Sequence, residues 1–260
     1  MSCKVQQSVC SDCVTYAKSR IKFNTLNTFN NVISTEGNQR EISWFRSRFG
    51  NFTGSEVHNL MKSGRKKDEV WSETAKSYMY KVAAERLFNP DFLNDDDVFD
   101  DYLHQTNFTS KAMQFGIEQE QYARETYIKL NSDVEVFEVA SCKHDTIPHF
   151  AASPDGIVRG EELKCLEIKC PNIATHMMYV DKIQDGASLK EVKPEYYWQT
   201  MAEMACTGAT ETDFVSYSPW LLNPIHIVNI PRNDEDIALL EERVKLANAY
   251  VEEIINKSKS

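Results

Sequence analysis

Apolar residues recur at helical spacing from Ser55 to about Leu60 and again from Ser72 to Phe88. The basic run Gly64-Arg65-Lys66-Lys67 reads as a turn between them, and Asn89-Pro90 as the stop of the second. A longer helical pattern spans Ser110 to Leu130. The pattern then changes to short strands: Val134–Val139, Phe150–Ala152, Ile157–Val158 and Leu163–Cys170, the last ended by Pro171. Pro194 and Gly208 frame a helix over 194–207 that is apolar almost all round, which predicts burial. Strands are expected at Thr212–Tyr217 and Ile225–Ile230. A last helix from about Asn233 places Ile237, Leu240, Val244, Val251 and Ile254 on one stripe. The order predicts an α/β protein, a mixed sheet flanked by helices.

Two stretches lack such a pattern. Residues 1–40, with the Asn/Thr-rich run Asn24 to Asn31, read as a loosely ordered arm. Residues 91–101 hold six aspartates among aromatics and read as a solvated surface loop; no glycine or closing glutamate follows at calcium-loop offsets. With no repeat and no Gly/Ser linker, residues 41–260 are expected to form one domain.

Composition narrows the class. Of 260 residues, 26% are charged and 42% hydrophobic, which fits a folded chain. No apolar run is long enough to span a membrane. The N-terminus lacks an apolar signal core, and seven cysteines form an odd, scattered set, so a cytoplasmic protein with free thiols is expected. Cys10 and Cys13 form a lone CxxC without a second ligand pair, so two free thiols are the better reading. The net charge of −10 argues against a partner of the same sign, yet its distribution is uneven. Residues 1–90 carry fourteen Lys/Arg against eight Asp/Glu, whereas residues 91–260 carry fifteen against thirty-one. A basic front can face a polyanion while rear carboxylates hold a divalent cation.

Three carboxylates stand out. Ser153-Pro154-Asp155-Gly156 reads as a hairpin turn between two apolar strands. Further on, Glu167-Ile168-Lys169 lies in a strand, where Glu167 and Lys169 share one face and Leu166, Ile168 and Cys170 the other. Two carboxylates beside a lysine suit Mg²⁺ or Mn²⁺ with oxygen ligands and a water to be activated; the bland alternative is a surface ion pair. On the 110–130 helix, Glu120 falls within the apolar arc of Met113, Gly116, Ile117, Ala123 and Tyr127, with Glu118 and Glu125 opposite. A carboxylate there needs a partner, either a metal shared with Asp155 and Glu167 or the nearby Arg124.

These residues resemble a known group. SPDG, LEIKCP (166–171) and FGIEQEQYAR (115–124) together resemble the PD-(D/E)XK nuclease superfamily, and within it the lambda-type exonucleases of phage recombination systems. Trp44-Phe45-Arg46-Ser47-Arg48-Phe49-Gly50 and Thr53-Gly54-Ser55-Glu56-Val57-His58-Asn59 are similar to that family's W-x3-R-x-G…T-A-S-E-V-H-N segment, and Tyr197-Trp198-Gln199 also fits. The resemblance covers about residues 40–220. It implies a restriction-endonuclease-like core and an Mg²⁺-dependent 5′→3′ double-stranded-DNA exonuclease leaving 3′ overhangs, with Mn²⁺ able to substitute. It also implies metal held by Glu120, Asp155, Glu167 and the Ile168 carbonyl, with Lys169 as catalytic lysine beside the attacking water. Arg48, Thr53 and Ser55 would bind a terminal 5′-phosphate, and Gln199 would line the active site. A homotrimeric ring around duplex DNA and a single-strand annealing partner are implied too.

Trp44 is expected to pack in the core. Rival readings are another nuclease of the superfamily or a silent DNA-binding protein. The iron–sulfur nucleases need a cysteine set whose spacing Cys142, Cys165, Cys170 and Cys206 lack, and silent relatives lose a carboxylate or the lysine, all retained here.

Overall fold

The computed structural model describes residues 41–64, 69–106 and 110–259. The expected arm over 1–40, with Cys10 and Cys13, and the Arg65-Lys66-Lys67 part of the basic turn lie outside the described residues. The chain runs α1 (Ile42–Arg48), β1 (Phe52–Thr53), a 3₁₀ turn (Val57–Asn59), α2 (Glu73–Arg86), α3 (Pro90–Asn94), α4 (Asp96–Thr106) and α5 (Lys111–Leu130). Then follow β2 (Glu135–Phe137), β3 (Cys142–Lys143), β4 (Phe150–Ala152), β5 (Gly156–Arg159) and β6 (Leu163–Lys169). The rest comprises α6 (Ile173–Lys182), α7 (Gly186–Val192), α8 (Pro194–Thr207), β7 (Glu211–Tyr217), β8 (Ile225–Pro231) and α9 (Asp234–Ser258).

Local chemistry sets several of these bounds. Ser72, Ser110 and Asn233 each accept a first-turn amide and so start α2, α5 and α9. Pro194 opens α8, and Gly208 closes it in the left-handed conformation, φ 73°, where a Cβ would be strained. On α9, Ile237, Leu240, Val244, Ala247, Val251 and Ile255 are buried; Ile255 takes the place expected for Ile254, which is only partly buried.

Five strands form the main sheet in the order β2-β5-β6-β7-β8, antiparallel except for the β6–β7 pair. A parallel pair needs a long crossover, and α6, α7 and α8 fill it. A second sheet has the order β1-β4-β3, with β1 parallel to β4. The mixed α/β architecture is therefore as expected, but the strands divide between two sheets. This corrects the hairpin reading of Ser153–Gly156: that turn carries the chain from β4 in the small sheet to β5 in the large one. The hairpin is β5–β6, with Gly156 opposite Leu166. A Pro-Asp-Gly turn suits either connection, and the flanking apolar triplets do not distinguish their pairing partners.

Residues 91–101 are also corrected. They are not a loop but lie in α3 and α4, with Phe99 and Leu103 buried. As expected, α2 ends before Asn89 and Pro90; these two also begin α3, because the Asn89 side chain accepts the Asp91 amide and Pro90 needs no donor. Asp95 Oδ1 accepts the amides of Asp97 and Val98, and the aspartates of the first turn complement the helix dipole. Phe49, Phe88, Phe99 and Tyr102 pack together over this helix.

The β6 strand separates two cores. Leu163 and Cys165 join the larger one with α8 and α9, while Leu166 and Ile168 join Ala123 and Tyr127 of α5 on the other face. That alternation is the one expected from the period of a strand.

Candidate active site

The odd-numbered face of β6 meets α8. A helix climbs one turn in nearly the span of two strand residues, so partners repeat in step. Cys165 lies against Thr207, Glu167 against Glu203 and also Gln199, and Lys169 against Gln199 and Tyr196. Glu167 is fully buried and pairs with the Lys169 ammonium, so the alternative of a surface ion pair is excluded. Gln199 Nε2 donates to Glu167 Oε1 at 2.8 Å and to Glu203 Oε1 at 3.1 Å, and its Oε1 accepts from Lys169 Nζ at 3.5 Å. Burial works against the Lys169 ammonium, but Glu167 and Asp155 outweigh it and hold its pKa above the ordinary lysine value.

Asp155 reaches the same place from the inter-sheet turn. Its Oδ2 accepts the Ile168 amide at 2.7 Å, so it is the N–H of Ile168 that meets this carboxylate. Burial first, then Glu167 and Glu120, push the Asp155 carboxyl well above the usual range, against the pull of Lys169 and the Ile168 amide. Glu120 arrives from α5, where it is buried with Ala123 and Tyr127. The Arg124 pairing weighed for it is present, Nη2 to Glu120 Oε1 at 3.1 Å. Met113, at the start of the same arc, is exposed.

A second cluster adjoins this one. Arg48 donates to Ser55 Oγ and to Ser153 Oγ, both at 3.0 Å, and its guanidinium stacks 4.3 Å over the Trp44 ring. Burial lowers its pKa, opposed by Tyr78, Glu56 and Glu167. Trp44 is half-buried as this platform, not a core residue, which corrects its expected packing role. Thr53 gives its amide to the Tyr78 hydroxyl, as donor at 2.8 Å, and its Oγ1 is buried without a hydrogen-bond partner among the described residues. Arg48 and Thr53 also line a cavity of about 430 Å³ with Trp44, Lys81 and Tyr102.

The structure thus brings Glu120, Asp155, Glu167, Ile168, Lys169 and Gln199 together, with Arg48 and Ser55 beside them. Sequence reasoning missed Ser153 and Glu203. The first stood within the SPDG motif but lacked its distant partner. The second is a fully buried acid one turn beyond Gln199, a spacing that could have marked it. Burial and Glu167 push the Glu203 carboxyl well above the usual range.

As they stand, no three His, Cys, Asp or Glu groups among the described residues are arranged to chelate an ion, the trio of Glu120, Asp155 and Glu167 included. The donor set nevertheless suits a hard divalent cation. Glu167 Oε2 is buried with no hydrogen-bond partner among the described residues, and burial with two further carboxylates drives Asp155 towards its protonated form, so the site favours added positive charge, whether a proton or a cation. The thiols are different. Cys142 and Cys170 are each pushed up to about 12, chiefly by burial, and are poor metal ligands in that state.

Residues 43–210 match the family model of the YqaJ-like viral recombinase domain. An alkaline exonuclease from Laribacter hongkongensis, LHK-Exo, is similar in structure, with a TM-score of 0.66 and 33% identity over 84% of this chain and 95% of that one. The structure of LHK-Exo in complex with dAMP matches over the same shares with 32% identity and a TM-score of 0.66. A phage-related exonuclease from Haemophilus somnus 129PT shares the fold, with a TM-score of 0.57 and 19% identity over 80% of this chain and 96% of that one. A comparison with curated proteins finds no match. With the family model spanning well over half its length, and with the nuclease motifs gathered at one end of β6, the chain belongs to the YqaJ-like viral recombinase family of phage-type exonucleases.

Proposed function

We propose that the protein is a divalent-metal-dependent deoxyribonuclease that degrades one strand of duplex DNA from its 5′ end, leaving a 3′ overhang for recombination by strand annealing. One observation carries this reading. Ser153, bonded to Arg48, and Asp155, bonded to β6, sit two residues apart on one turn, so an anion-binding cluster adjoins a carboxylate–lysine cluster.

Asp155, Glu167, Glu120 and the Ile168 carbonyl would hold the cation, Mg²⁺ with Mn²⁺ as substitute. Bound there, it supplies positive charge against the phosphate and the leaving 3′ oxygen. The protein's own groups do the rest. Arg48, Ser55 and Ser153 grip the terminal 5′-phosphate, the guanidinium as a charge-assisted fork and the hydroxyls as rotatable donors. Thr53, held at the Tyr78 hydroxyl through its amide, completes this pocket. Lys169 orients the attacking water and stabilises charge on the phosphorane. Gln199 keeps Glu167 and Lys169 in place.

Family resemblance adds a homotrimeric ring, a single-strand annealing partner and a site of action in host cytoplasm; sedimentation of the purified chain tests the first. No helix among the described residues is long and apolar enough to cross a membrane. The function is tested with end-labelled linear duplexes carrying 5′-phosphate or 5′-hydroxyl ends, beside closed circular duplex, in Mg²⁺. Mononucleotides released from the 5′ end, faster from phosphorylated ends, with the circle intact, are expected. Release from 3′ ends or nicking of the circle would overturn the reading in favour of another nuclease activity.

A further inference from the structure

Gln199 has three polar neighbours in the site, and their chemistry dictates how its amide faces. Glu167 Oε1 and Glu203 Oε1 take the Nε2 hydrogens at 2.8 and 3.1 Å, and Lys169 Nζ faces the amide oxygen at 3.5 Å. The Glu167 oxygen, facing the Lys169 ammonium, accepts, and the ammonium only donates, so a flipped amide would set oxygen against oxygen at Glu167 and nitrogen against nitrogen at Lys169. Glu203 is fully buried on α8, away from solvent, and lies close enough to Glu167 for the two carboxyls to interact. Packing alone does not account for an acid there, since an apolar residue of similar reach would fill the space without desolvating a carboxyl.

We propose that Glu203 is a positioning residue that locks the Gln199 amide, and through it orients Glu167 for the divalent cation. This rests on the metal-dependent reading above. With one amide hydrogen held by Glu203, the other is directed at Glu167 Oε1 and the amide oxygen at Lys169. Without an acceptor at 203, Gln199 keeps a buried N–H with nothing to bond and its orientation is no longer fixed, so Glu167 and Lys169 lose a common reference. Ligand orientation by a residue outside the ligand set is a general property of metal sites, and removing such residues costs about ten- to a hundredfold in metal affinity or activity.

The test uses the full chain as wild type, Glu203→Gln and Glu203→Leu. Mn²⁺ binding is read directly from the paramagnetic resonance of the free ion, beside kcat and KM for duplex digestion and the unfolding temperature. Glu203→Leu should remain folded, unfold at or above the wild-type temperature, and lose about ten- to a hundredfold in Mn²⁺ affinity and kcat with KM for DNA unchanged. Glu203→Gln, whose side-chain oxygen still accepts from Gln199, should recover most of the loss. If Glu203→Leu does not fold, Glu203→Met takes its place with the same two expectations. Wild-type Mn²⁺ affinity in the folded apolar variant overturns the inference, as does equal impairment of the Gln and Leu variants. Failure of the wild type to bind Mn²⁺ would overturn the metal reading and this inference with it.

Discussion

Arg48 shows how much one side chain can organise. Its guanidinium is stacked on Trp44 and held by two hydroxyls, so its donors are already aimed before any substrate arrives. Its burial makes the charge costly to hold, and a terminal phosphate would compensate it. Arg48→Ala should therefore remove most of the preference for phosphorylated over hydroxyl 5′ ends. A charge-assisted contact of this kind contributes about 1.5–3 kcal/mol, or roughly ten- to a hundredfold in initial rate. Asp155→Ala should instead abolish hydrolysis of both ends while duplex binding in Ca²⁺ persists. Initial rates on the two substrates, with duplex affinity measured alongside, separate the two effects; an unchanged end preference in Arg48→Ala would remove the phosphate pocket.

Among the elements, α4 and the α6–β7 junction make the sharpest claims. If α4 is a packed helix, Phe99→Ala leaves a cavity among Phe49, Phe88 and Tyr102 and should cost about 3–5 kcal/mol, read from the urea midpoint. A loop residue in solvent would cost almost nothing. At the other place, His176 on α6 is fully buried against Ser216 Oγ at 2.8 Å, and burial, then His226, hold its pKa below the ordinary histidine value. Its unfolded form binds protons first, so its contribution to stability is complete above about pH 6.5 and declines as pH falls towards the folded pKa. The urea midpoint of the wild type should drop in that window, and His176→Gln should flatten the drop. The same elements show what the sequence revealed. Pro194 and Gly208 bounded α8 because their backbone constraints are local. The six aspartates masked Phe99 and Leu103, whose i, i+4 spacing was the better guide, since charge can sit on one face of a helix whose other face is buried. The two-residue strands β1 and β3 are too short to show a period, and residues 173–192 carried no expectation, their stripe broken by exposed Ile173, Met177 and Met178.

For the molecule as a whole, Glu120, Glu167 and Lys169 could be placed from period, because each lies on an element whose face the sequence dictates, and Asp155 from its motif alone, since it sits on the turn between the sheets. Ser153 could not, because its role depends on a pairing with Arg48, 105 residues away in the chain, whereas Glu203, one turn from Gln199, left a local signal that went unread. The charge asymmetry also belongs to this scale, since much of the basic excess lies in residues 1–40 and 65–67, outside the described residues. A chain beginning near Glu41 is expected to keep the specific activity of the full protein, because the patterned segments and all the site residues lie beyond it. Digestion by the two forms across a salt series checks this. A folded but inactive truncation, or a salt dependence altered by the loss of the arm, would make residues 1–40 part of the DNA path.

The turn between the two sheets has one more consequence. In the proposed function Ser153 would belong to the grip on the strand's end, and Asp155 to the cluster that would cut it. Two residues of chain span at most roughly 7 Å, and Pro154 stiffens the step between them. On the proposed function product size would be written into the covalent chain: the turn would act as a ruler about one nucleotide long, with both of its ends clamped by hydrogen bonds to different parts of the fold. Each cut would expose a new 5′-phosphate one step further along, which is what the proposed grip would hold, so the same measurement could repeat without any part of the protein counting bases.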